Sequence, residues 1–247
     1  MANWSDPRTT AVPSAATGAR EAAFDAGLRS YMLSVYNYMT SGVLLTGIVA
    51  MLFAQGGINS PAAQVFLHGG ILRWIVMLAP LGVVMWLSFG IGRMSDTAAK
   101  ALFWVFAVLM GLSLSTIFLV YTGASIAQTF FATAVAFGGL SLFGYTTKKN
   151  LAPIGAFLVM GVFGLLAAML INLFVQSSTM SLLISAIGVL LFAGLTAYDT
   201  QRIKSGYFAV RGTAFAGRSA IMGALQLYLD FINMFLFLLR FMGNQRG

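Results

Sequence analysis

From Tyr31 onward the chain alternates between long apolar runs and short polar breaks. The runs are Tyr31–Phe53, Ile71–Ile91, Ala98–Tyr121, Ile126–Tyr145, Ile154–Val175, Met180–Tyr198 and Met222–Met242. Each is close to the roughly 20 residues that a helix needs to cross a bilayer core. Hydrophobicity within them is continuous rather than alternating, unlike a barrel strand with one face to lipid and one to a lumen. A backbone in lipid must satisfy its own N–H and C=O groups, so continuous runs predict helices. The expected fold class is all-α integral membrane, with seven transmembrane helices.

The breaks carry turn residues and charge: QGGINSPAAQ, GRMSDT, YTGAS, TTKKNLAP and QSST. A longer amphipathic stretch, DTQRIKSGYFAVRGTAFAGRSA, reads as a loop leading into the seventh helix. Residues 1–30 are polar and rich in Ala, Ser and Thr, and read as a flexible cytoplasmic tail. The transmembrane domain then covers 31–243, and 244–247 is a short C-terminal tail. The first run is too long for the apolar core of a cleaved signal, and no small-residue cleavage site follows it, so insertion is expected through the first helix itself.

Composition agrees: 59% of residues are hydrophobic and 8% charged, where a soluble domain carries about 25% charged residues. The absence of cysteine excludes disulfides, thiolate metal sites and thiol nucleophiles. A net charge of +8 in a membrane protein points to basic loops on the cytoplasmic side, not to nucleic acid. Eleven of the Lys and Arg residues fall in the tail and the loops after runs two, four and six, against three on the other side. That bias places the N-terminus in the cytoplasm.

Of six acidic residues, four (Asp6, Glu21, Asp25 and Asp96) lie in polar segments. The other two are Asp199, at the cytoplasmic boundary of the sixth run, and Asp230, inside the seventh in LYLDFIN. A carboxylate at membrane depth is unfavourable by several kcal/mol unless paired, protonated or hydrated, and so marks an ion path, a proton relay or a catalytic site. Asp230 is some eight residues from the cytoplasmic end of its run, roughly 12 Å, so both carboxylates belong to the cytoplasmic half. If the helices converge, the two cannot both ionise cheaply, and they share a proton. Arg93, ending the second run on the same side, is a candidate cation for the pair. Thr196, Tyr198, Tyr228 and Asn233 are candidate neutral helpers.

AYDTQRIKSGY and LYLDFINMFLFLLR resemble the two signature segments of the Bax inhibitor-1 family, the transmembrane BAX inhibitor motif proteins. The resemblance extends over about residues 31–243, and DAGLRSYMLSVYNYMTSGV is similar to bacterial members, which implies a bacterial inner membrane. It implies a last helix that is central and wrapped by the other six, and a calcium leak that responds to pH. The family's paired aspartates match Asp199 and Asp230, and its second-helix arginine matches Arg93, as a latch. On this reading the dyad is both ion path and pH sensor, and calcium is a transiently held, permeating ion rather than a cofactor. Relatives described as modulators of an FtsH-type membrane protease supply the alternative, a non-transporting interaction protein.

No enzyme is expected. An intramembrane aspartyl protease needs GxGD where this chain has LYLD, and no PAL segment is present. The one histidine, His68, lies in the break before the second run, which removes a serine-type protease. A retinal-binding lysine in the last helix is absent. Phosphate-loop, HExxH and calcium-loop motifs are absent too, so ATP-driven pumping and zinc chemistry have no support. Gly161, Gly164, Gly188 and Gly194 read as close-packing positions between helices.

Overall fold

A polypeptide crossing lipid closes its backbone hydrogen bonds within each segment, and every long apolar run is helical in the computed structural model. The structure describes residues 14–246, with side chains from residue 25. In chain order the long helices are α1 (Ser14–Phe53), α2 (Ile71–Gly90), α3 (Asp96–Leu114), α4 (Gly123–Thr146), α5 (Ala152–Val175), α6 (Ser178–Val210) and α7 (Ala216–Met242). Each contains or forms part of a span long and apolar enough to cross a membrane. Hydroxyl caps start several of them: Ser95, Thr122 and Ser177 accept from the backbone N–H groups of Ala98, Ser125 and Met180, satisfying donors that a helix start leaves open.

Three boundaries differ from those read in the sequence. Of the expected tail, residues 1–13 lie outside the described ones, while α1 begins at Ser14. The helix continues because Leu28 and Tyr31 are buried, with Tyr31 bonded to Ser219 at 2.9 Å and its ring 5.2 Å from that of Tyr207. The third span is interrupted after Leu114 and resumes as the short helix Thr116–Val120. There the Ser115 hydroxyl donates back to Leu112 O at 2.6 Å, a side-chain bond that competes with the helical ladder.

The third difference matters most for function. The stretch DTQRIKSGYFAV is not a loop but the last turns of α6, which runs 33 residues to Val210. It holds because the stretch is amphipathic: Thr200 and Ile203 are buried while Arg202 and Ser205 face outward. Asp199 therefore lies within a helix rather than at its end.

The innermost span is α7, with 67% of its most apolar window buried against 11–39% for the others. It packs on α6, α1, α4 and α3, while α2 leans on α3 and α5 on α6. Small residues permit the close approaches. A Cβ on Gly144 of α4 would strike the backbone of Ala197 in α6, one on Gly155 the Tyr198 ring, and one on Gly188 the Phe237 ring. Gly161 and Gly194 likewise sit against Leu191 and Leu158, whereas Gly164 faces open space.

The ends of the bundle are tied differently. Residues after α7 pair with the α3–α4 connection: Thr122 N donates to Asn244 O at 3.1 Å and Arg246 N to Val120 O at 2.8 Å. At the other end Arg218, in the first turns of α7, donates to Met94 O at 3.0 Å and places Nε 3.2 Å from Asp96 Oδ1. That Nε–H is not aligned for a hydrogen bond, so the Asp96 contact is an ion pair only. Thus α7 traverses the whole bundle, and the C-terminal residues lie at the end opposite the α6–α7 turn.

Candidate functional site

Asp199 on α6 and Asp230 on α7 meet inside the bundle. Their side chains are 5% and 4% exposed, and the two carboxylates are within hydrogen-bond reach of each other. The Gln226 side chain donates to Asp199, and Arg202 is the cation whose field Asp199 feels. Asp230 Oδ2 is buried with no hydrogen-bond partner among the described residues. The polar group facing Asp230 is thus another carboxylate, an acceptor when ionised. Two acceptors hold each other only through a proton or a cation placed between them.

Buried hydrogen bonds tie the surrounding helices together. Ser141 and Thr200 hydroxyls, both buried, are 3.1 Å apart and tie α4 to α6 next to Asp199. Two residues before Asp230, the fully buried Tyr228 hydroxyl lies 2.7 Å from Thr46 Oγ1, which donates to Ala107 O at 2.8 Å. Since the Thr46 proton is committed to Ala107, Tyr228 is the donor in the first bond. This relay joins α7, α1 and α3.

Access differs on the two sides of the pair. A cavity of about 410 Å³ lies between α1, α2, α6 and α7, lined by Tyr31, Ser88, Arg202, Ser219 and Gln226 among others. Gln226 connects it to Asp199. Toward the opposite end the bundle is closed by apolar packing. Met234 and Leu239 are each 1% exposed, the Phe192 and Phe237 rings stack at 5.8 Å, and Ile126, Phe235 and Leu239 form a further cluster. The recess thus reaches Gln226, the hydrogen-bond partner of Asp199, and the packing toward the opposite end is apolar.

The residues expected from sequence divide clearly. Asp199 and Asp230 are brought together. Arg93 is exposed in the turn between α2 and α3, the turn whose carbonyls Arg218 holds. Thr196 donates to Phe192 O, Asn233 to Leu229 O, and Tyr228 to Thr46. Tyr198 lies against Gly155. The sequence reading overlooked Gln226 and Arg202. Spacing would have found both: Gln226 is four residues before Asp230 and Arg202 three after Asp199, each on the carboxylate's own helix face. No group of three or more acidic, His or Cys side chains that could hold a metal occurs among the described residues.

Residues 28–247 match the family described as Inhibitor of apoptosis-promoting Bax1. The chain is 46% identical over 230 residues to the uncharacterised protein RP147 of Rickettsia prowazekii, covering 93% of this chain and 96% of the relative. It is 45% identical over 224 residues to the inner membrane protein YbhL of Escherichia coli, covering 90% and 94%. An uncharacterised protein of Caulobacter vibrioides is 44% identical over 230 residues, covering 90% and 91%.

Proposed function

Because this chain belongs to the Bax inhibitor-1 family, a family of multi-pass membrane proteins, we propose that it is a calcium leak path of the bacterial inner membrane, controlled by protonation of the Asp199–Asp230 pair. One observation carries the proposal: two buried carboxylates face each other inside the bundle, and Gln226, the partner of Asp199, lines a cavity between α1, α2, α6 and α7. Calcium takes six to eight oxygen ligands, and two carboxylates offer too few for a deep trap. They suit an ion that is attracted, held briefly and released, as conduction requires.

The pair closes on itself when one proton is shared. Loss of that proton leaves two like charges in low dielectric, which a divalent cation relieves. A cation reaching the pair through the recess therefore competes with the proton, and flux depends on pH. Passage beyond the pair requires the plug around Phe192, Phe237 and Leu239 to part, so the closed packing is the resting state. The moving element is α2, the least buried span, released when the α2–α3 turn that contains Arg93 leaves Arg218.

The test is calcium flux into proteoliposomes across about pH 5 to 8, for wild type, Asp230→Asn and Asp199→Asn. Asparagine preserves shape and removes the titration. The expected outcome is pH-dependent flux in wild type and a flattened profile in both variants. Unchanged pH response in the variants would overturn the role of the pair. Flux no greater than in empty liposomes would overturn the leak path and favour an interaction role toward a membrane protease of the FtsH type.

A further inference from the structure

Helices α1 and α4 do not close against each other along their length. Between them runs a groove of about 710 Å³, walled by one face of each helix and floored by Phe231 of α7. On α1 its residues extend from Arg29 to Leu44, and on α4 from Phe130 to Tyr145. Sixteen helical positions on each side give a length of roughly 22 Å, more than one leaflet's share of a hydrocarbon core about 30 Å thick. The walls are mostly apolar along this length, with Leu33, Leu44 and Leu142 exposed and Thr40 and Ser141 the hydroxyl-bearing aliphatic positions. Gly138 lines the groove, and a Cβ built on it meets nothing within 4 Å.

The groove has one charged end. Arg29 lines it there and is exposed. At the Tyr145 end of the α4 wall, Lys204 donates to Tyr145 O at 2.6 Å, with its Nζ 4.9 Å from the Tyr145 ring centroid. Lys148 and Lys149, in the connection that follows α4, are exposed. The facing acidic residue among the described side chains is Asp25, exposed one turn before Arg29. Among the described side chains, cations therefore outnumber anions at this mouth, at the end where a headgroup would sit if a lipid tail lay along the groove.

We infer that the α1–α4 groove is a binding site for one anionic phospholipid, its acyl chain laid against Phe231 and its phosphate at Arg29 and Lys204. A zwitterionic lipid offers the same tail but brings its own cation to a basic mouth. Charge therefore selects the headgroup while the walls hold the chain. The floor residue Phe231 is adjacent to Asp230 in sequence and sits between the rings of Phe130 and Phe137, at 5.6 and 5.5 Å. An occupant of the groove thus touches the α7 segment that carries the carboxylate.

Native mass spectrometry of the purified full chain, titrated with palmitoyl-oleoyl phosphatidylglycerol or the matching phosphatidylcholine, tests the site without any flux measurement. Wild type should retain a single phosphatidylglycerol with about tenfold preference over phosphatidylcholine. Arg29→Gln with Lys204→Gln should abolish the preference, and Gly138→Phe should remove the adduct. Gly82→Phe on α2, where a Cβ also meets nothing within 4 Å, should leave it intact. Equal retention of the two lipids by wild type, or an adduct indifferent to Gly138→Phe, would overturn the inference. If Gly138→Phe does not fold, Thr40→Cys labelled with a bimane decides instead, since the chain has no cysteine and Thr40 is an exposed groove residue. Brominated phosphatidylglycerol should quench that probe at a lower mole fraction than brominated phosphatidylcholine, and equal quenching would overturn the site.

Discussion

Two residues before Asp230 on α7, Tyr228 anchors a buried hydrogen-bonded relay that can be tested for stability alone. Tyr228 donates to Thr46, and Thr46 donates to Ala107 O. Replacing Tyr228 by Phe leaves the Thr46–Ala107 bond and removes both the donor and its need, at a loss of about 1 kcal/mol. Thr46→Val instead strands the Tyr228 hydroxyl in a dry core, a loss of about 1–3 kcal/mol. Thermal unfolding in detergent should therefore rank Thr46→Val below Tyr228→Phe, and Tyr228→Phe below wild type. The reverse order would mean that the hydroxyl has another outlet. Asp230→Asn should keep the wild-type melting temperature within a few degrees, because an amide can donate to Asp199 where the pair now needs a shared proton.

At the scale of elements, the contact between the α2–α3 turn and the start of α7 decides how firmly α2 is held. Arg218 reaches Gly92 O at 3.4 Å and Met94 O at 3.0 Å, and pairs with a half-exposed Asp96. An ion pair with one exposed partner contributes little, about 0–1 kcal/mol. The carbonyl bonds fix the turn. Arg218→Leu should raise amide hydrogen exchange of residues 90–95 at least about fivefold, leaving the α4 core unchanged, and should raise calcium leak. Asp96→Asn should change exchange by much less. Equal effects of the two substitutions would place the hold in the ion pair.

For the whole molecule, the ties at the two ends fix which connections share a side. The residues after α7 lie with the α3–α4 connection, and the α4–α5 connection lies at the opposite end with the α6–α7 turn. The basic residues at the latter end predict, by the positive-inside rule, that this end faces the cytoplasm and the residues after α7 the other side. In spheroplasts, a membrane-impermeant maleimide should label Gln245→Cys directly and Lys148→Cys only after permeabilisation. Labelling of Lys148→Cys alone in intact spheroplasts would invert the orientation while keeping the fold.

Continuous hydrophobicity by itself determined the class and the seven spans, because lipid leaves a backbone no other way to satisfy its polar groups. The same logic marked Asp230, since a carboxylate between LYL and FIN has no inexpensive neutral explanation, whereas Asp199 at a helix boundary could be read as simply solvated. Only tertiary structure decided that the two meet, that Asp199 is buried inside a long α6, and that Gln226 and Arg202, not Arg93, are the polar groups beside Asp199. Those facts depend on which faces pack: the α6 extension is stable only because Thr200 and Ile203 find partners in the bundle. A one-dimensional pattern reports how apolar a segment is, but the direction of a polar side chain on a helix acquires meaning only when a neighbouring helix lies opposite it.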